Sequence, residues 1–244
     1  MEGALDEVAS ELPVRLILNN EQLVTLLCTP SELEELAVGF LLSEGILREK
    51  TSLRRITVEE DPLTVRVELS DLPRDWEKMF EKRTISSGCG SGITFTSFKM
   101  EHERRIKVAD HLMSLDDIRR LLTAFRNISS LYLETGGVHS AALSDGRDIL
   151  LFSEDIGRHN AVDKVIGYAL LEDIPLSGKI MLASGRLSSE IVSKCARCGI
   201  PVIISRAAPT SLSVQIAESS GLTLIGFARG DRMNIYSGRE RITL

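Results

Sequence analysis

The sequence predicts an α/β protein, with a smaller β-rich α+β first half and a layered α/β second half. The first half clusters apolar runs of strand length around a single helix, whereas the second alternates such runs with stripes of helical period. Bulk agrees: 244 residues, 43% hydrophobic and 26% charged, suffice to bury a core in one large domain or two modest ones. The expected division is 1–110 and 111–244, with the charged stretch from Lys99 to Asp110 as the seam.

In chain order, Pro13 to Leu18 and Leu23 to Cys28 read as strands joined by a hairpin turn at Asn19-Asn20. Ser31 and Glu34 have capping-box spacing. The helix they would open carries Leu33, Leu36, Ala37, Phe40 and Leu41 on one face and ends near Gly45. Leu53 to Val58 and Leu63 to Leu69 are strands, followed by a charged stretch around Trp76 to Arg83. In the second half Ser114 caps a helix whose Ile118, Leu121, Leu122 and Phe125 share a face. Short runs at Asp148 to Phe152, Lys179 to Ala183, Pro201 to Ser205 and Leu222 to Phe227 read as buried strands. Helical patterns separate them: a stripe of Ala161, Val162, Val165, Ile166, Ala169 and Leu170, then shorter ones over 188–198 and 210–220. Strands alternating with helices of this length imply a sheet covered on both faces.

A net charge of −6 gives no basic footprint for nucleic acid. The apolar run from Leu36 to Leu42 breaks at Ser43-Glu44, too short to span a bilayer. The first dozen residues, with Glu2, Asp6, Glu7 and Glu11, lack the basic start and apolar stretch of a secretory signal. A cytoplasmic protein is expected, so Cys28, Cys89, Cys195 and Cys198 imply no disulfide framework.

Cys89 stands out among them. Its setting, Ser86-Ser87-Gly88-Cys89-Gly90-Ser91-Gly92, offers no bulky neighbours to bury a thiol, which invites a chemical explanation. Cys195 and Cys198 have CxxC spacing, but with Ile191 they fall at i, i+4 and i+7 on the apolar stripe of a helix, which favours core packing over a metal or redox pair. Cys28 ends an apolar run and reads as core.

Thr135-Gly136-Gly137, Ser184-Gly185-Arg186 and Arg229-Gly230-Asp231-Arg232 are each read as small-residue loops after a strand. Backbone N–H groups there could face a phosphate, or the glycines could simply mark turns. Residues 153–164 pack Asp155, Arg158, His159, Asp163 and Lys164 at a helix entry. Asp155 could cap that helix with Asp163 and Lys164 on a solvated face, or Asp155, Arg158, His159 and Asp163 could line a cleft at a strand's carboxyl end.

Longer strings carry a resemblance. Thr135-Gly136-Gly137-Val138-His139-Ser140-Ala141-Ala142-Leu143, the run from Glu154 to Lys164, Ala208-Pro209-Thr210-Ser211-Leu212 and the ending from Leu222 to Tyr236 closely resemble the formate dehydrogenase accessory sulfurtransferase family, FdhD. Ala37 to Gly45 matches too, and the resemblance runs from about Glu11 to the end.

The resemblance implies a sulfur carrier that takes sulfane sulfur from a cysteine desulfurase as a persulfide. It would deliver the sulfur to the molybdenum (or tungsten) bis-pyranopterin guanine dinucleotide cofactor before its insertion into formate dehydrogenase. By position Cys89 matches the persulfide cysteine. Phe227, Ala228, Arg229, Gly230, Asp231 and Arg232 match a cofactor-binding segment. Gly136, Gly137, His139, Asp155, His159, Ser184 and Arg186 would hold the guanine dinucleotide arms, and a guanine nucleotide would fit the same site. The second half then resembles the cytidine-deaminase-like fold, and a homodimer is expected, with no intrinsic metal.

Where the family has a second loop cysteine this chain has Gly92, so sulfur cannot be relayed between two loop thiols. One thiolate still suffices for persulfide exchange, helped by nearby charge, for which Lys82 and Arg83 are candidates. Two alternatives stand beside this reading. A cofactor-binding chaperone would hold the cofactor without using Cys89. A zinc-dependent deaminase would need His-x-Glu and Pro-Cys-x-x-Cys, but Ser140-Ala141 follows His139 and Lys194 precedes Cys195.

Overall fold

The computed structural model describes residues 6–73, 76, 84–85, 93–94, 106, 113–230 and 232–243. The Cys89 loop, Lys82, Arg83, nearly all of the 99–110 seam and Asp231 lie outside the described residues.

Strands β1 (Leu12–Leu18) and β2 (Glu21–Cys28) pair antiparallel across the expected turn. Asn19 and Asn20 both have positive φ, 44° and 72°, as a two-residue hairpin that follows the strand twist requires. Helix α1 (Leu33–Ser43) follows, then β3 (Leu53–Glu60) and β4 (Leu63–Leu69). The four strands form one sheet in the order β2-β1-β4-β3, with β1 and β4 parallel. Val14, Leu16, Leu18, Val65 and Val67 point from it into a core shared with Leu36, Val38, Phe40 and Leu41 of α1. Short β5 (Thr84–Ile85) and β6 (Ile93–Thr94) pair with each other.

The expected capping box at the start of α1 is not formed. Glu32 occupies the N-cap with left-handed φ 53° and no side-chain cap bond. Ser31 and Glu32 are instead engaged by distant groups: Lys164 Nζ reaches Ser31 Oγ (3.5 Å) and Ser153 Oγ donates to Glu32 Oε1 (3.2 Å). Tertiary contacts have overridden a local signal.

The second half begins with β7 (Met113–Ser114) and α2 (Leu115–Asn127), which Ser114 and Asp117 close in a true capping box. Short α3 (Ser130–Thr135) leads into β8 (His139–Ser144) and β9 (Ile149–Asp155), then α4 (Arg158–Leu171). Next come β10 (Ile180–Ala183), α5 (Ser189–Arg197), β11 (Val202–Ser205) and α6 (Ser211–Ser220). The last elements are β12 (Thr223–Arg229), β13 (Arg232–Ser237) and β14 (Ile242–Thr243), the last paired with β7. The sheet order is β13-β12-β11-β10-β8-β9, with β10, β11 and β12 mutually parallel. β8, β13 and α3 were not anticipated from sequence.

Both faces of this sheet are covered, as expected. Met181, Ala183, Ile203 and Leu224 face a core built with α4, α5 and α6, while Ile180, Leu182, Ile204 and Ile225 face one built with α2. The two halves meet where α1 crosses α4. A Cβ on Gly39 would stand 1.7 Å from the Asp163 carbonyl oxygen, and one on Gly167 1.9 Å from that of Glu35, so only glycine allows this approach.

Beneath that crossing lies a buried charge cluster. Asp163 accepts from Ser43 Oγ (2.7 Å) and from Lys194 Nζ (2.9 Å), and Lys194 also meets Glu44 (2.8 Å). Asp163 therefore does not line the cleft, and Asp163 and Lys164, 1% and 0% exposed, do not form a solvated face. Burial pushes the Asp163 carboxyl up, against the pull of Lys194. Burial opposes the Lys194 charge as well, but Asp163 and Glu44 outweigh it and hold the ammonium.

Candidate functional site

The carboxyl ends of β10, β11 and β12 lie at one end of the large sheet. Antiparallel pairing brings the start of β8 and the end of β9 to the same end, since Ala183 pairs with Ala141 and His139 with Asp155. Ligands of open α/β sheets settle where strand ends and loops converge in this way. At this end lie Arg158 at the start of α4, Arg186 and Arg206 in the loops after β10 and β11, Arg229 as the last residue of β12 and Arg232 as the first of β13. Of these, Arg186, Arg206, Arg229 and Arg232 are exposed.

The geometry is held from beneath. Ser184 Oγ accepts from Ser140 N–H (2.9 Å) and lies 3.3 Å from His139 Nδ1. Gly185 is packed so tightly that a Cβ would lie 2.9 Å from Arg158 Cβ and 3.4 Å from His139 Nδ1. Ser205 Oγ donates to the Gly185 carbonyl (2.7 Å) and accepts from Ala207 N–H (3.0 Å), tying the β10 loop to the β11 loop. Phe227 N–H then donates to the Ala207 carbonyl (3.1 Å), and Arg229 Nε to that of Arg206 (3.0 Å). His139, burdened by burial and by Arg158, His159 and Arg186, is held below the usual histidine range.

Phe227 is the strained member. Its φ is 51°, a left-handed conformation that costs a bulky residue about 1–2 kcal/mol. A register shift between Gly226 and Arg229 in the β12–β13 pairing accompanies it, and the ring is 43% exposed. Backbone strain of this kind clusters at functional sites. Ala228 points the other way, 1% exposed in the core, and can offer only main chain.

Asp155 is no surface ligand. It is 0% exposed, and its Oδ1 accepts from Gly157 N–H (2.8 Å) and Asn160 Nδ2 (2.9 Å). Its Oδ2 accepts from Thr29 N–H (3.1 Å) and meets Lys164 Nζ (2.8 Å). It caps nothing by itself; it fixes the turn that launches Arg158 and His159. His159 Nε2 sits 2.9 Å from Glu190 Oε2 and 3.3 Å from Ser188 Oγ, so the ring is aimed by the start of α5.

The Thr135-Gly136-Gly137 reading is corrected. Thr135 ends helix α3 and Gly136 closes it with φ 64°, so the two glycines follow a helix and not a strand. The Gly136 N–H donates to the Tyr132 carbonyl (2.8 Å) and that of Gly137 to Thr135 Oγ1 (3.1 Å), so neither amide is open to a phosphate. A helix C-terminus also presents carbonyls, which repel anions. Sequence reading missed Arg206, Glu190 and the positive φ of Phe227; a glycine-flanked arginine was the signal used, and Arg206 has no such flank.

Three thiols have raised pKa values. Burial pushes Cys28 and Cys198 up to about 12 and Cys195 well above its ordinary value. Cys195 lies in the core, as its stripe position predicts. Among the described residues no group of three or more His, Cys, Asp and Glu side chains could hold a metal ion, and no helix is long and apolar enough to cross a membrane.

Comparison with known proteins places this architecture. Sulfur carrier protein FdhD of Bacillus pumilus is 41% identical over 238 residues, covering 98% of this chain and 91% of the relative. The protein of that name from Bacillus subtilis is 39% identical over 237 residues, covering 97% and 90%. A crystal structure of a proposed formate dehydrogenase accessory protein from Desulfotalea psychrophila superposes with a TM-score of 0.78 at 31% identity, covering 98% of this chain and 91% of that one. The FdhD/NarQ family itself matches residues 9–243, from the approach to β1 through β14. With the match spanning both sheets and every loop of the arginine-rich edge, the chain belongs to the FdhD/NarQ family.

Proposed function

We propose that this protein is a sulfur carrier that receives sulfane sulfur on Cys89 from a cysteine desulfurase and passes it to a molybdenum or tungsten bis-pyranopterin guanine dinucleotide, the form destined for formate dehydrogenase. The observation that carries the reading is the gathering of Arg158, Arg186, Arg206, Arg229 and Arg232 at one end of the sheet. Guanidinium groups bind phosphate bidentately, and a diphosphate-linked guanosine supplies both the charge and a flat base for the exposed Phe227 ring. The names of the relatives, sulfur carrier proteins and a formate dehydrogenase accessory protein, support the same direction.

Cys89 is the carrier in this reading because Cys28 and Cys195 are buried, Cys198 is half-buried beside the same core, and desolvation raises the pKa of all three thiols. Its thiolate attacks the outer sulfur of the desulfurase persulfide and displaces the desulfurase thiolate, leaving Cys89 as the persulfide with no net oxidation. Gly92 makes this a one-cysteine mechanism, and the protein acts as a homodimer.

The test is incubation with a cysteine desulfurase and cysteine, followed by peptide mass spectrometry. Added sulfur on Cys89, and formate dehydrogenase left inactive when Cys89→Ala replaces the wild type, are the expected results. Sulfur on another cysteine, or full maturation by Cys89→Ala, would leave only a cofactor-holding role.

A further inference from the structure

The opposite end of the same sheet holds a cavity of about 610 Å³, between the start of α2, the 145–148 turn and the first residues of β10 and β11. Small-molecule sites typically span about 300–1,000 Å³. The cavity shares no lining residue with the arginine-rich edge.

Its charges are unevenly committed. Asp117 is spent on the α2 cap and on Arg120, accepting from Ser114 Oγ (2.7 Å) and from Arg120 Nη2 (2.8 Å). Asp145 is spent on its own turn, accepting from the N–H groups of Arg147 (2.8 Å) and Asp148 (2.9 Å). Those bonds hold both carboxyls below the ordinary carboxylate range, Asp117 chiefly through Ser114 and Asp145 chiefly through Asp148, with a smaller pull on Asp145 from Lys179. Asp148 is the remaining acid of the lining and is exposed. Against them stand Arg147 on the turn, Lys179 before β10 and, at the floor, Arg241, which is 1% exposed with Nη1 on Thr223 Oγ1 (3.0 Å). Met113, Ile180, Pro201 and Val202 make the rest of the wall apolar.

We propose that this cavity is a binding site for a small organic phosphate, with Arg147 and Lys179 taking the phosphate above Arg241 and the carbon skeleton lying on Met113, Ile180, Pro201 and Val202. A basic pair at the mouth suits a doubly charged group better than a single carboxylate. The apolar wall calls for a ligand with a carbon body rather than a bare ion.

The experiment is calorimetric titration of ribose 5-phosphate, inorganic phosphate and citrate into the full chain, the Arg147→Ala/Lys179→Ala variant and the Arg186→Ala/Arg229→Ala variant. All four substituted side chains stand at the surface or half-buried, and thermal melts confirm that the variants fold. Ribose 5-phosphate should bind the wild type more tightly than either other anion. Arg147→Ala/Lys179→Ala should weaken it at least tenfold, and Arg186→Ala/Arg229→Ala should leave that binding in place. No binding at millimolar concentration, unchanged affinity in Arg147→Ala/Lys179→Ala, or loss confined to Arg186→Ala/Arg229→Ala would each overturn the assignment. The last outcome would assign the phosphate to the arginine-rich edge, and none of the three bears on sulfur transfer through Cys89.

Discussion

Lys164 Nζ lies 2.8 Å from Asp155 Oδ2, and both side chains are completely buried. Lys164 also donates to the carbonyls of Thr29 (3.2 Å) and Glu154 (3.1 Å), so one ammonium binds the β2–α1 connection to the end of β9. Removing it strands a buried carboxylate without its ion-pair partner. Lys164→Met should cost about 3–5 kcal/mol in urea melts. Lys164→Met/Asp155→Asn should recover part of that loss, because the uncompensated charge is gone. A single variant as stable as the wild type would show that the pair is not what joins the halves.

The glycine crossing of α1 and α4 makes a separate stability prediction. Gly39→Ala and Gly167→Ala each drive a methyl into the backbone of the facing helix, where no side chain can yield. Each should destabilise by about 3 kcal/mol or more. Gly199→Ala is the control, because a methyl at that position would meet no atom within 4 Å and only the φ of 74° is strained; its loss should be about 1 kcal/mol. Equal losses at all three positions would mean that glycine's backbone freedom, rather than the close crossing, sets the requirement.

Much of this was legible in the sequence, and the reasons for the rest are physical. The Asn19-Asn20 hairpin, the Ser114 cap and the burial of Cys195 are local: turn chemistry, a side chain three residues from its amide, and one helical stripe. β13, reading Arg-Met-Asn-Ile-Tyr-Ser, is a half-exposed edge strand with too few apolar residues to signal itself. Gly136 misled because a glycine closing a helix and a glycine turning after a strand look alike until the preceding segment is known. The Ser31 and Glu34 spacing misled because Lys164 and Ser153, more than 100 residues away, engage Ser31 and the actual N-cap Glu32. Asp155, Arg158 and His159 were recognised together, but only the structure separates the buried acid that sets the turn from the basic groups that the turn presents.

Thiol reactivity should sort the four cysteines. With Cys28 and Cys198 raised to about 12, thiolate at pH 7 is on the order of one part in 10⁵, and burial pushes Cys195 well above its ordinary value too. Iodoacetamide applied to the native protein at neutral pH should leave Cys28, Cys195 and Cys198 unmodified and label Cys89, with all four labelled in denaturant. Native labelling of Cys195 or Cys198 would reopen a chemical role for the CxxC pair.

Phe227 should display a conflict between stability and binding. Glycine adopts φ near 51° without strain, so Phe227→Gly should stabilise the local fold by up to about 1 kcal/mol once the lost ring contacts, already half in solvent, are allowed for. The same change removes the ring on which a guanine base would lie. GDP affinity should then fall by about tenfold, as expected for one lost stacking contact. Retained GDP affinity in Phe227→Gly would show that the strain serves the backbone and not the ring.

His139 offers a pH test of the arginine-rich edge. Burial comes first among the causes of its depressed pKa, followed by the positive charge of Arg158, His159 and Arg186. Above the ordinary histidine value of 6.5 the ring is neutral in both folded and unfolded chains, so its contribution to stability is constant. Below 6.5 the unfolded chain takes up the proton and the folded chain resists it, so stability falls with pH until the folded ring protonates in turn. A bound diphosphate reverses the local charge and should raise the ring's pKa. By linkage, GDP should then bind more tightly as pH is lowered through the window between the free and bound values. An NMR titration of the His139 ring, with and without GDP, measures both ends of that window. An identical titration in the two states would mean that the nucleotide does not sit beside His139, and the arginine-rich edge would have to be reassigned.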